Sequence, residues 1–339
     1  MFELLGLSLL LAALLTFNSC ASVVTAGLWR LLGRNTRRYT AMTRARLLFA
    51  LRIVPALLAI IVVMFLLVPA YLAYEPRHTN ESVSFKLGLL AFFSAVGLSL
   101  AIARSIAAWR ATARLTADWL RHGEPITVPG IAIATFRIEH AFPVIAIVGV
   151  VRPRLFIASH VLELLTAEEI AAAVAHENSH LAARDNLKRG VLRACRDTLL
   201  IIPSGRSLDR SWAEAAEEAA DESAAHRERG IALDLASALV KIARKVPSGA
   251  RPTMPAGVFL IGEELAGNEE VSGIKIRVGR LMALASGCSQ PSNQQVSANL
   301  LFWIMSGLLL SLVAIIIINA PLIFSSVHSL IEHAVFMLR

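Results

Sequence analysis

Cysteine, charge and, in one loop, acid are what this sequence has least of, and each shortage excludes something. The 339 residues include three cysteines, Cys20, Cys195 and Cys288. They are odd in number, widely spaced and form no C-x-x-C pair. That excludes a disulfide framework and fits a soluble part in a reducing compartment. Charged residues make up 17% and hydrophobic residues 56%, with mean hydropathy +0.62. An ordinary soluble chain carries about 25% charged residues, so the balance points to a membrane protein. The start Met1-Phe2-Glu3 lacks the positive n-region of a secretion signal. The first apolar segment therefore reads as a retained span, with Cys20 a small residue inside it. Net charge is +8. The surplus arginines flank apolar blocks and are not interleaved with exposed aromatics, so topology control explains them and no nucleic-acid partner is expected.

Apolar blocks are plentiful. A bilayer core takes about 20 apolar residues in helix. Four segments qualify, at about Leu4–Trp29, Leu47–Tyr74, Leu87–Trp109 and Leu300–Ala320. Pro55 and Pro69 are tolerable within the second. The first connecting loop holds Arg30, Arg34, Arg37, Arg38, Arg44 and Arg46 and no acid, and Arg110, Arg114 and Arg121 follow the third span. Basic loops stay cytoplasmic. The expected topology is a bacterial inner or plasma membrane protein with the N-terminus outside, the large middle region inside and the C-terminus outside. The short tail from Pro321 has apolar residues near helical spacing, which predicts a segment lying along the membrane surface. The expected divisions are 1–109 (three spans), 110–297 (a soluble domain) and 298–339 (the fourth span and tail).

In the middle region, 132–151 and 154–158 are rich in Ile and Val and read as two or three strands, including a hairpin. The strands within Val144–Ala158 are expected to offer an edge to an extended peptide. Thr166-Ala167-Glu168-Glu169 is a capping box, predicting a helix from Thr166 through at least Arg184. Ser211-Trp212-Ala213-Glu214 predicts a second helix from Ser211 that ends near Gly230. Further helices are expected at 233–245 and 269–285, with loop at 247–257 and polar linker at 286–297.

The chemistry lies on the first of these helices. Residues 176–180 read His-Glu-Asn-Ser-His. Four residues turn a helix by about 400°, so His176 and His180 lie one turn apart on one face. Both imidazoles can then grip one Zn²⁺. Glu177 lies roughly 100° aside, placed to take a proton from a water that zinc acidifies. The bland alternative is a polar face on a surface helix. The Ala-rich apolar flanks at 171–175 and 181–183 argue against it, because buried His and Glu need partners. A catalytic zinc also needs a third protein ligand, and no third His follows closely. The second helix offers Glu217 as ligand, with Asp221 one turn on to take the far N–H of a ligand His. On sequence alone Glu218 competes with Glu217. His226, two and a half turns past Glu217, faces elsewhere on a regular helix. Arg184 is placed to pair with the acidic second helix.

Residues 176–186, His-Glu-Asn-Ser-His-Leu-Ala-Ala-Arg-Asp-Asn, resemble the H-E-x-x-H-x-x-x-R-D-N segment of the BlaR/MecR-type membrane metallopeptidases. Val148 to Ile157 is similar to the strand pair that precedes it in that family, and Trp212 to Ala224 to its E-x-x-x-D segment. The resemblance implies Glu217 as the ligand and a bracing role for Asp185 at the first helix. It implies an α-helical membrane protein of four transmembrane helices. A cytoplasmic, mainly α, zincin-like (α+β) metallopeptidase domain is inserted between spans three and four. One Zn²⁺ per chain and a protein or peptide substrate follow, the substrate being a transcriptional regulator in the family's signalling role, with a separate sensor partner. HtpX-type quality-control proteases share these motifs and supply the alternative function. A non-catalytic zinc-binding signalling scaffold is a third reading, against which Glu177 speaks. The antibiotic sensors of the family carry a penicillin-binding domain after the last span; only a short tail follows Ala320 here, so any signal is expected to come from elsewhere.

Overall fold

A helix that begins with Phe2 and runs without a breaker to Leu32 opens the chain (α1, Phe2–Leu32). The computed structural model describes residues 2–33, 36, 39–76, 83–199, 205–226, 230–246, 270–286, 307, 311 and 320–338. The expected fourth span, apart from residues 307, 311 and 320, lies outside the described residues, as do the loop at 247–257 and the linker beyond residue 286.

The second apolar segment is one rod in three parts: α2 (Ala41–Val62), a π-helical stretch (Val63–Leu67) and α3 (Val68–Tyr74). Thr40 starts it by accepting the Thr43 N–H. The wide turn falls just before Pro69, whose missing N–H and bulky ring disfavour regular α geometry in the preceding turn. The third segment, α4 (Phe85–His122), starts at a Ser84 cap and stops at Gly123. It overruns the expected end at Trp109 by more than three turns. No glycine or proline interrupts 98–122, and polarity alone does not end a helix. Among the described residues, these three helices are long and apolar enough to cross a membrane. Leu58, Met64, Phe65, Leu72 and Phe92 project outward from them, as bilayer contact requires.

The overrun delivers the chain to a small sheet, built from β1 (Glu124–Ile126), β2 (Thr135–Ile138), β3 (Ile145–Val148) and β4 (Arg154–Ala158). The order is β1-β2-β4-β3; β2 and β4 run parallel and the other pairs antiparallel. The expected hairpin is β3–β4, turned through Gly149 at φ 101°. β3 stands at an edge of the sheet.

Five helices follow: α5 (Ser159–Leu164), α6 (Ala167–Ala183), α7 (Asp185–Asp197), α8 (Gly205–Ala225) and α9 (Ile231–Lys245). The last two described helices are α10 (Glu270–Ala285) and α11 (Ala320–Leu338). The capping box at Thr166 is present in full, with both reciprocal hydrogen bonds. Arg184, at φ 55°, ends α6 in the left-handed region and α7 begins at once. The core packs Ile145, Ile147, Leu155, Phe156 and Ile157 of the sheet against Ala172, Ala173 and Val174 of α6 and Leu235, Leu239 and Ile242 of α9.

α8 starts at Gly205, six residues before the Ser211 that the sequence pattern selects. Tertiary contact explains the added turns. Leu208 and Trp212 pack with Ala45, Leu48 and Leu192, and Asp209 accepts from Arg52 Nε at 3.0 Å. Since α8 lies along the start of α2, the free apolar stretch is 53–74, about 33 Å of helix against a bilayer core of ~30 Å. α7 points into the helical bundle. Arg104 of α4 donates to Asp197 at 2.9 Å, and Gly97 of α4 lies so close to α7 that a Cβ there would sit 2.7 Å from the Thr198 carbonyl oxygen.

Candidate metal centre

Four elements converge on one point. His176 and His180 come from the middle of α6, where alanines let neighbouring helices approach closely. The His176 side chain is fully buried and Glu177 nearly so. Glu217 and Asp221 come from α8, one turn apart and both buried. Asp185 opens α7. Arg277 enters from α10.

The two Nε2 atoms of His176 and His180 lie 3.2 Å apart. Glu217 Oε1 is 3.5 Å from His180 Nε2, and Oε2 is 3.6 Å from His176 Nε2. Zinc–imidazole bonds of about 2.0–2.1 Å arranged tetrahedrally place neighbouring ligand atoms ~3.3 Å apart, so all three separations suit one ion. The buried Glu217 Oε2 makes no hydrogen bond among the described residues, although Arg277 Nη1 lies 3.2 Å away. His176, His180 and Glu217 thus form a group that can hold a metal ion.

Each imidazole turns its other nitrogen to a carboxylate. His176 Nδ1 is 2.9 Å from Asp221 Oδ1, and His180 Nδ1 is 2.8 Å from Asp185 Oδ2. An acceptor at Nδ1 favours the tautomer whose Nε2 lone pair faces inward; the His180–Asp185 contact is a hydrogen bond, whereas the His176–Asp221 contact is a close ion pair without hydrogen-bond geometry. Asp221 thus lies beside the far ring nitrogen of His176. Asp185 does more than brace α6: it does for His180 what Asp221 does for His176. Arg277 locks Asp221 through two hydrogen bonds, Nε to Oδ2 at 2.9 Å and Nη2 to Oδ1 at 2.7 Å. Arg189 Nη2 donates to Glu217 Oε1 at 3.1 Å, and Lys188 Nζ to Asp185 Oδ1 at 3.1 Å.

These charges set the protonation states. Burial works against charge on Asp221, but Arg277 and His176 outweigh it and hold the carboxyl at about 2. Burial likewise opposes charge on Glu217, yet His180 and Arg277 keep it well below the usual carboxylate range. Burial would lower His180, but the Glu217 charge and the Asp185 hydrogen bond raise it to about 10. A proton on His180 thus supplies positive charge at the point of convergence when no ion does. Glu177 differs: burial pushes its carboxyl up, and the nearby imidazoles only partly pull it back.

The geometry separates Glu217 from its neighbour. Glu218 points out of the site to pair with Arg44 of α2 and Arg280 of α10. Arg184 makes no ion pair with α8 among the described residues; it carries the left-handed turn, and Arg189 and Arg277 meet the acids instead. His226 lies exposed beyond the end of α8, its Nδ1 on the Glu222 carbonyl.

Three participants went unnoticed in the sequence pattern: Arg189, Arg277 and the role of Asn186. Arg277 had a signal, since Ile274 and Leu281 mark the buried face of α10 and Arg277 falls on it, a charge that needs a partner. Asn186 Nδ2 donates to the Ile147 carbonyl at 2.9 Å, while the Ile147 N–H donates to Glu177 Oε2 at 3.2 Å. The outward peptide groups of edge strand β3 are therefore engaged at Ile147, and the edge anticipated from sequence is not bare there.

No protein-family model, curated protein or solved structure matches the chain.

Proposed function

We propose that this chain is a membrane-embedded zinc endopeptidase, of the kind its H-E-x-x-H segment resembles, that cleaves a cytosolic or membrane-proximal protein. The convergence of two imidazoles and one carboxylate at tetrahedral separations, each imidazole backed by its own acid, carries this reading. The residues fit the ion: two ring nitrogens facing inward, one buried carboxylate oxygen without a hydrogen bond among the described residues, and a three-ligand set that leaves a fourth position for water or substrate. Zinc bound there would polarise the scissile carbonyl and acidify a water molecule. Glu177 is the proton carrier. Its buried carboxyl, raised above the ordinary value, takes a proton from the attacking water and returns it to the leaving amine. Asp221 and Asp185 hold the imidazoles in the ligating tautomer, and Arg277 keeps Asp221 ionised. Ile147 restrains Glu177 through its N–H, so β3 links the sheet edge to the proton-transfer group.

In this reading the soluble unit is a cytoplasmic zincin-like domain followed by a fourth span near 300–320, with the N-terminus outside. The arginine-rich loop before α2 supports that orientation. The substrate is a regulator in a signalling role. Glu177→Gln tests the reading: purified protein should keep its zinc and lose peptide cleavage. Unchanged cleavage would refute the mechanism. In cells the same variant should accumulate one uncut regulator; accumulation of many membrane proteins would instead indicate a quality-control protease.

A further inference from the structure

Far from His176, a second set of metal-ligating side chains meets at the end of α3. Glu75 follows Tyr74 directly, and its backbone N–H closes the last turn on the Tyr71 carbonyl. Its carboxylate is buried, with 3% of the side chain exposed. His328 and Glu332 project from α11, four residues apart and so on one face. One ligand atom from each of Glu75, His328 and Glu332 lies within 4.8 Å of the other two.

Packing independent of these side chains assembles them. Ile331 and Val335 of α11 are buried against Leu9, Val63, Leu67 and Ala70. That apolar seam fixes α11 along the π-helical stretch and α3, and presents its His328 face to Glu75. The Tyr74 ring stacks on the imidazole at 5.9 Å between centroids with 27° between planes, which restrains ring rotation.

His328 Nδ1 is buried and makes no hydrogen bond among the described residues. The nearest Glu75 oxygen, Oε2, stands 3.9 Å away. That is too long for a hydrogen bond, yet close to the ~3.4 Å between neighbouring ligands of a tetrahedral transition ion. Glu332, exposed and one turn from His328, can swing in as the third ligand.

We propose that Glu75, His328 and Glu332 form a second cation site, taking a divalent first-row transition ion through one nitrogen and two carboxylates. The Ala41–Tyr74 rod is 34 residues, about 50 Å, long. Its start touches α8, where the Ala41 N–H donates to Glu222, and its end carries Glu75. The second site therefore lies at the opposite end of the rod from the helix that bears Glu217. Bound there, the ion ties α11 to the second long apolar helix.

Zn²⁺ titration of the full chain, purified in detergent and stripped with chelator, tests this. Wild type should bind two equivalents. His328→Ala and Glu332→Gln should each bind one, and His180→Ala should keep the equivalent that His328→Ala loses. Glu332 is exposed, so the Gln variant leaves the packing of α11 intact. If His328→Ala and Glu332→Gln bind as many ions as wild type, the second site does not exist. Should wild type bind one ion, lost in His328→Ala and kept in His180→Ala, this site stands and the peptidase reading falls.

Discussion

The two metal-competent groups of this molecule use similar ligands and differ in everything around them. At His176, His180 and Glu217 two ligands are buried, the third is mostly so, and every one has a second partner: Asp221, Asp185, and Arg189 with Arg277. At Glu75, His328 and Glu332 one ligand is exposed, and the imidazole is steadied by an aromatic face in place of a carboxylate. Partners of this kind orient a ligand and raise its basicity, commonly worth about 10–100-fold in affinity. The first group has a bracing partner on every ligand before anything binds. The second is suited to an ion that comes and goes.

The contrast breaks most visibly at Asp221. Asp221→Ala removes the acceptor of His176 Nδ1 and strips Arg277 of its bidentate partner. Metal affinity at the first group should fall about 10–100-fold, and leaving one half of a buried ion pair should cost ~3–5 kcal/mol of stability. Zinc titration and denaturant unfolding read the two effects, and zinc binding at Glu75/His328/Glu332 should be untouched. If affinity at the first group survives, the bracing acid is ornamental and the contrast with it.

A pH titration sharpens the comparison. His180 is raised from 6.5 to about 10, so in metal-free protein its contribution to stability is complete below pH 6.5 and disappears as pH rises through about 10. Asp221 is lowered from 3.8 to about 2, so its contribution is complete above pH 3.8 and disappears as pH falls through about 2. Metal-free protein should therefore be most stable between roughly pH 4 and 6.5. Metal must displace the His180 proton, so first-site affinity should climb with pH. Thermal unfolding against pH checks the stability profile, and His180→Gln should remove its alkaline limb.

The smallest effect should come from Thr166→Ala. It deletes the cap of α6, worth ~1 kcal/mol, nearly three turns before His176. Stability should drop by that amount in a denaturant melt while zinc affinity holds. A parallel loss of affinity would mean that the helix itself, more than the bracing acids, preorganises the site.

Local pattern made several elements legible. The Thr166 capping box, the i, i+4 histidines and the amphipathic run that became α9 depend on neighbours within a turn or two, and the chain forms them nearly where expected. The start of α8 did not follow its local signal. Ser211 is a plausible cap, but Leu208, Trp212 and Asp209 find partners on α2, and their burial extends the helix back to Gly205. The overrun of α4 was hidden for the converse reason: hydropathy falls after Trp109, but a fall in hydropathy does not end a helix, and Gly123 does.

By itself the sequence determined that three long apolar helices form, and that two histidines and a glutamate share a helix with an acid-bearing helix downstream. These follow from composition and from fixed rotation per residue. Tertiary structure decided what helical spacing left open, that Glu217 and not Glu218 faces the histidines, and it alone showed that Asp185 serves His180 and that Arg277 reaches Asp221 across 56 residues of chain. Helical periodicity says which side chains share a face, whereas the direction of that face is set by the apolar seams between helices, and those depend on the packing of the whole chain.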